Sequence, residues 1–295
     1  MYRDKTRYGQ DPTQVIRSKD ATFHAPLAWE RQAVKTGKPR RVFTCSWSDF
    51  FIAEADDWRD EALVIMALTP HLTYQVLTKR PDRMLASLSP WNASETPADH
   101  LRVMYWRDRL ATKAYRMFGE KAECAVANAI SDCLAEGFNV GWPFRHVWMG
   151  VSVENQATAD QRIPLLLQTP AAKHFISYEP ALEPVNFDYF LGDLPEDEDG
   201  APYQETISWI IIGGESGPDA RPFDLTWARS TIAQCRAAGT PCLVKQLGAF
   251  PVQPYEVGSA KGEGYRILKF RNRAGADPEE WPADLQVQLF PSLTA

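Results

Sequence analysis

Three glutamates in this 295-residue chain each close an apolar run. Glu154 ends "VWMGVSVEN", Glu179 ends "HFISYEP", and Glu215 lies in "WIIIGGESG", which spans Trp209 to Gly217. Carboxylates placed this way can divide acid and base work when their surroundings separate their pKa values. They can also hold a ligand amine or ribose hydroxyls. Cations close two further runs: Lys79 and Arg80 end "TYQVLTKR", and Lys245 with Gln246 ends "PCLVKQ". Both signs of charge at strand ends suit a zwitterionic or phosphorylated ligand. The plainer alternative is that at least one glutamate makes a salt bridge with Lys79, Arg80 or Lys245.

Gly213 and Gly214 expose backbone N–H groups to an anion, let a ligand approach closely, or form a tight turn. The Gly-Lys-Ser/Thr of a phosphate-gripping loop is absent here. Ser46, Ser48 and Asp49 follow Cys45, but a serine nucleophile needs a histidine partner. None of the five histidines closes a predicted strand and His174 opens one, so serine-hydrolase chemistry is not expected. No two of the five cysteines have C-x-x-C spacing, so neither a zinc knuckle nor an iron–sulfur loop is expected, and no metal ligands are assigned. Cys235 is in phase with Leu225, Ala228 and Ile232 on a predicted helix, as core filling.

The elements that must position these groups are legible as a repeat. Six β-branched and aromatic runs start at Val42, Thr73, Val147, His174, Trp209 and Pro241, which lie 31, 74, 27, 35 and 32 residues apart. A strand, a helix and two loops need about that much chain. The spacing predicts helices over Asp57–Leu68 and over Gln156–Leu167, where Pro164 suggests a kink or a shorter helix. Another covers Leu225–Ala238, capped by Asp224 and ended by Gly239 and Pro241. Alternation of strand and helix implies an α/β fold of about six parallel strands, with ligands at their C-terminal ends.

The long gap carries a helical insertion, about residues 90–146. Residues 97–118 read as one helix with Arg102, Arg109 and Arg116 seven apart and Lys113 beside them; Lys121–Gly137 reads as a second. The stripe, with Tyr105 and Trp106 nearby, could meet a nucleic-acid backbone, but such a stripe is more often an exposed helix face. Asp193–Gly200 reads as a solvated loop. Residues 1–250 are expected to form the strand–helix domain. Residues 251–295 follow as an appendage, with a strand or hairpin over Gly264–Arg273 and an extended tail over Asp277–Pro291.

The formal net charge of −6 argues against gripping nucleic acid by charge alone. No apolar run approaches the roughly 20 residues needed to span a bilayer, and "MYRDKTRYGQ" has no apolar signal core. A cytoplasmic location without a membrane partner is expected.

With these ends laid out in order, the chain resembles a known phage and bacterial family. The segments that carry the resemblance are "RRVFTCSWSDFF", "TYQVLTKRPDRM", "VWMGVSVENQATADQRIPLLLQTPAAKHFISYEP", "WIIIGGESGPDARPFDLTWARS", "CLVKQLGAFP" and the closing "DPEEWPADLQVQLFP". The family is named after mycobacteriophage gene products thirty-seven and sixty-eight, and is also called the three-cysteine-motif phage family. It resembles radical S-adenosylmethionine enzymes. That implies an incomplete (β/α) TIM-like barrel, a [4Fe–4S] cluster held by three N-terminal cysteines, bound S-adenosylmethionine and a reductant for the cluster.

On this resemblance Glu179, Glu215 and Lys245 are the catalytic candidates. Ser46, Ser48, Lys79, Ser152, Glu154, Asn155, Gly213, Gly214 and Gln246 are the cofactor-binding candidates, and the substrate is unassigned, with nucleic acid or a nucleotide in view. The family's cysteine segment is expected immediately before Met1, so the cysteines present are not expected to bind the cluster. Two other readings stand beside this one. Strand-end glutamates and ten tryptophans would suit a metal-free glycoside hydrolase, and a barrel without its cluster would be a non-catalytic ligand-binding module.

Overall fold

The computed structural model describes residues 15–46, 48–88, 97–135, 144–191, 206–255 and 264–292. The fold is α/β, an incomplete (β/α) barrel built on one six-stranded parallel sheet. Its strands are β1 (Arg40–Thr44), β2 (Leu72–Thr78), β3 (Val147–Ser152), β4 (His174–Tyr178), β5 (Ile207–Gly213) and β7 (Cys242–Gln246), in the order β1-β2-β3-β4-β5-β7. Neighbours in the sheet are thus successive strands of the sequence repeat, as helical crossovers between parallel strands require. The first five of these strands stop within the apolar run that predicted them, leaving the polar end of the run in the following loop, whereas β7 includes its polar end, Lys245 and Gln246. Every residue of β3 and β4 is buried, the signature of strands covered on both faces.

The chain divides into two compact units. The first comprises the described residues up to Met149 with Thr169–Lys173. In it, β1 pairs with β2 from Arg40 against Leu72 to Thr44 against Val76. The helix Asp56–Ala67 carries two aspartates in its first turn and buries Leu63 through Ala67, so charge complements the dipole at one end and apolar surface holds the other. The helix Ala25–Thr36, which strand-ward periodicity did not reveal, ends on Gly37 with φ 64°, a left-handed cap that favours glycine. The insertion helices run Pro97–Phe118 and Glu120–Ala135, within two residues of the expected bounds.

The second unit comprises Gly150–Gln168 and His174–Thr294. Helix Gln156–Leu167 opens on a capping box: Asn155 Oδ1 accepts from Thr158 N–H, and Thr158 Oγ1 accepts from Asn155 N–H. The helix has the expected bounds and is not shortened at Pro164, which lies inside it. Ile163, Leu166 and Leu167 are buried around the proline, and that burial outweighs the lost backbone bond. Helix Leu225–Ala237 is capped by Asp224, as the sequence suggested, and Gly239 follows in the left-handed region.

The described residues after 250 belong to this second unit. A small sheet joins β6 (Phe223–Asp224), β8 (Pro251–Pro254) and β9 (Tyr265–Ile267). The tail is not simply extended: it makes 3-10 turns at Pro278–Glu280 and Ala283–Leu285 and then pairs with β7. Val244 N–H donates to Val287 O at 2.8 Å, and Leu289 N–H donates to Cys242 O at 2.9 Å. The tail therefore covers a strand edge that would otherwise template foreign pairing. The expected solvated loop Asp193–Gly200 lies outside the described residues.

Candidate functional site at the strand ends

In the second unit, Glu179 follows β4 and its side chain is 14% exposed. Its Oε2 accepts from Lys245 Nζ at 3.2 Å and from Ser177 Oγ at 3.3 Å. Its other oxygen, Oε1, is buried and has no hydrogen-bond partner among the described residues. Burial raises the Glu179 carboxyl above its ordinary value, and Lys245 and Ser177 offset only part of that shift.

Gly213 explains how a carboxyl reaches this position. A Cβ there would run into Glu179 Oε1, so only glycine leaves room for the side chain in this position. Gly214 is constrained differently: its Cβ would meet Leu247 O at 2.5 Å. The backbone of Gly214 is also occupied, since its N–H donates to Gln246 O and its carbonyl accepts from Gln246 Nε2 at 2.8 Å. The two glycines thus admit groups of the chain itself. Gln246 braces the turn.

The remaining carboxylates are tied locally. Glu215 takes both Arg221 nitrogens, Nε on Oε2 at 2.8 Å and Nη2 on Oε1 at 3.0 Å, and Oε2 also accepts from Arg221 N–H. The Arg221 hydrogen bonds hold the Glu215 carboxyl below its usual range, against a smaller opposing effect of burial. Glu154 accepts from Arg162 Nη1 at 2.9 Å, and the same nitrogen donates to the Ser152 carbonyl at 2.7 Å. Asn155 is engaged as the helix cap. Arg162, Arg221 and Ser177 were not among the sequence candidates. The two arginines lie only eight and six residues beyond the glutamates they bind, and that local spacing was the available signal.

The first unit holds the other candidates. Ser46 and Ser48 line a cavity of about 440 Å³. Asp49 ties their loop to the end of β2: it accepts from Thr78 Oγ1 at 2.7 Å, Lys79 N–H at 2.8 Å and Phe51 N–H at 2.9 Å, and pairs with Arg80 at 3.1 Å. Lys79 is engaged there through its backbone, and its side chain is exposed. On the insertion, Arg109 is held by both oxygens of Asp60 at 2.6 and 2.9 Å, and Lys113 pairs with Glu61 at 2.9 Å. Two cations of the stripe are thus neutralised within the chain, which weakens its case as a nucleic-acid surface. Arg116 is exposed, and the side chain of Arg102 lies outside the described residues.

Cys45 and Cys124 are exposed while Cys235 and Cys242 are buried together, so the described cysteines do not assemble three thiolates for a cluster. Among the described residues no group of three histidine, cysteine, aspartate or glutamate side chains is placed to hold a metal. No helix among them is long and apolar enough to cross a membrane.

A family model described as "Protein of unknown function (DUF5131)" matches residues 2–273. No curated protein and no solved structure matches the chain.

Proposed function

Because the chain belongs to the family described as a protein of unknown function (DUF5131), we propose, with its barrel class and its sequence resemblance, that it is a radical S-adenosylmethionine-like protein. Its second-unit strand ends would receive the amino-acid end of that ligand. The observation that carries this reading is Glu179, a mostly buried carboxyl beside a lysine, with one oxygen that has no partner among the described residues. Opposite charges 3.2 Å apart match a zwitterion. A ligand ammonium would replace Lys245 at Oε2, and the half-exposed lysine would turn to the ligand carboxylate. These groups fit S-adenosylmethionine; the described cysteines do not fit the cluster, and no radical step is assigned to them. Bound S-adenosylmethionine supplies an activated sulfonium; the chain's own part is to bind and orient the ligand's charged end.

Isothermal titration with S-adenosylmethionine tests the reading. Wild-type binding that Lys245→Ala and Glu179→Gln each weaken about tenfold or more supports it, since a charge-assisted contact is worth roughly 1.5–3 kcal/mol. No heat at millimolar ligand overturns it. A glycoside hydrolase is the second reading, favoured by one observation: burial pushes Glu179 up while Arg221 holds Glu215 down, the split that divides acid from base. Release of nitrophenol from aryl glycosides by the wild type, lost in Glu179→Gln, would select it.

Titration of Glu179 also makes a stability prediction. With its folded pKa above the ordinary 4.5, the folded chain binds more proton than the unfolded chain between 4.5 and the folded value. Its contribution to stability therefore falls as pH rises through that window. Urea unfolding from pH 4.5 to 8 is expected to show wild type losing stability relative to Glu179→Gln as pH rises. A constant or growing difference would contradict the burial of this carboxyl.

A further inference from the structure

The cavity in the first unit belongs to neither the Glu179 cluster nor the ion pairs around it. Its volume, about 440 Å³, is within the range of small-molecule sites. Its walls include the aromatic side chains of Trp29, Phe43, Trp58 and Tyr74. Phe43, 45% exposed, lies on β1, an edge strand.

The polar part of the lining decides what class of ligand fits. Arg17 is held by Asp20 at 2.7 Å and by Glu61 at 2.7 Å. Arg59 pairs with Asp56 at 2.6 Å, and Asp49 pairs with Arg80 at 3.1 Å. Each charge on the wall is therefore compensated inside the unit, and among the described residues of the wall no unpaired cation faces a phosphate. Cys45 keeps an exposed surface, yet the protein packed around it and the Asp49 carboxylate push its thiol up to about 11, so it too is neutral near pH 7. The neutral polar groups on the wall include the hydroxyls of Ser18, Thr22, Ser46 and Ser48 and the indole N–H groups of Trp29 and Trp58. Flat apolar walls with a few neutral hydrogen-bonding groups suit a planar ring with a polar edge.

We propose that this cavity binds an uncharged heteroaromatic small molecule of the nucleobase or nucleoside class, with the aromatic walls covering the ring and Ser46 and Ser48 meeting its polar edge. The site does not depend on the reading of Glu179 and Lys245. Calorimetric titration of the whole chain with adenosine, guanosine, cytidine and uridine tests it. At least one nucleoside is expected to bind with a dissociation constant below 1 mM, on the order expected for a single small site. Its 5′-monophosphate is expected to bind no more than about threefold tighter, because the wall arginines are already paired.

Ser48→Ala is expected to weaken the nucleoside about fivefold, one neutral hydrogen bond, with thermal unfolding unchanged. Trp58→Ala is expected to weaken it about tenfold or more, as loss of base–aromatic stacking does. Should Trp58→Ala fail to fold, Ser46→Ala and Ser48→Ala carry the test. No binding by any of the four nucleosides would overturn the proposal. So would a monophosphate bound ten times tighter, or serine variants that bind as the wild type does. Lys245→Ala reads the second-unit ligand and Ser48→Ala reads this cavity, so failure of one proposal is distinguishable from failure of the other.

Discussion

Gly214→Ala is expected to lower the free energy of unfolding by about 3 kcal/mol, at the upper end of the usual cost of overpacking. The added Cβ would meet a backbone carbonyl, Leu247 O, at 2.5 Å and the Phe223 ring at 3.0 Å. Neither can yield cheaply: Leu247 and Phe223 are both buried, and Phe223 N–H is bonded to Phe250 O. Gly213→Ala is the informative contrast. Its Cβ would meet the far end of a flexible side chain, the Glu179 carboxyl, which can swing toward water. A loss of about 1 kcal/mol is expected there, together with loss of the Glu179–Lys245 contact. Urea unfolding of both variants at pH 7 measures the difference. Equal costs would mean that Glu179 is held as rigidly as the backbone, and the proposal that a ligand cation can displace Lys245 from it would weaken.

Trp209→Ala is expected to cost about 4 kcal/mol, the range for a fully buried aromatic truncated to a methyl group. Trp209 is 1% exposed on β5 and lies against Phe175, with ring centroids 6.0 Å apart. It also fastens the tail: Nε1 donates to Leu289 O at 3.0 Å, and Phe290 packs against it at 5.3 Å. The substitution is therefore expected to release residues after Val287 as well as to open a cavity. Trp209→Phe separates the two effects, because it keeps most of the burial and loses the N–H donor. It is expected to cost about 1 kcal/mol and to raise the rate of proteolysis in the tail. A tail as protected in Trp209→Phe as in wild type would show that its pairing with β7 holds it alone.

Much of the scaffold around the candidate site was legible because it is encoded locally. The six strands appear where apolar, β-branched runs end in polar groups, and their order in the sheet follows their order in the chain. The cap at Asp224 and the bounds of helix Pro97–Phe118 are likewise short-range signals. Helix Gln156–Leu167 has the bounds its sequence suggested, and the shortening that Pro164 could have imposed is absent because Ile163, Leu166 and Leu167 are buried around it.

The sequence by itself determined that carboxylates and cations stand at the ends of parallel strands, and that at least one carboxylate would find a cation. Only the tertiary structure decided which. Glu154 and Glu215 took arginines within eight residues, whereas Glu179 took Lys245, 66 residues away. That distant pairing exists because β4, β5 and β7 lie side by side, and because Gly213 on the middle strand has no side chain to keep the carboxyl out. Periodicity records which face of a strand is apolar. Partner choice, burial and the stranded oxygen of Glu179 depend on distances between strands, which come into existence only when the sheet forms.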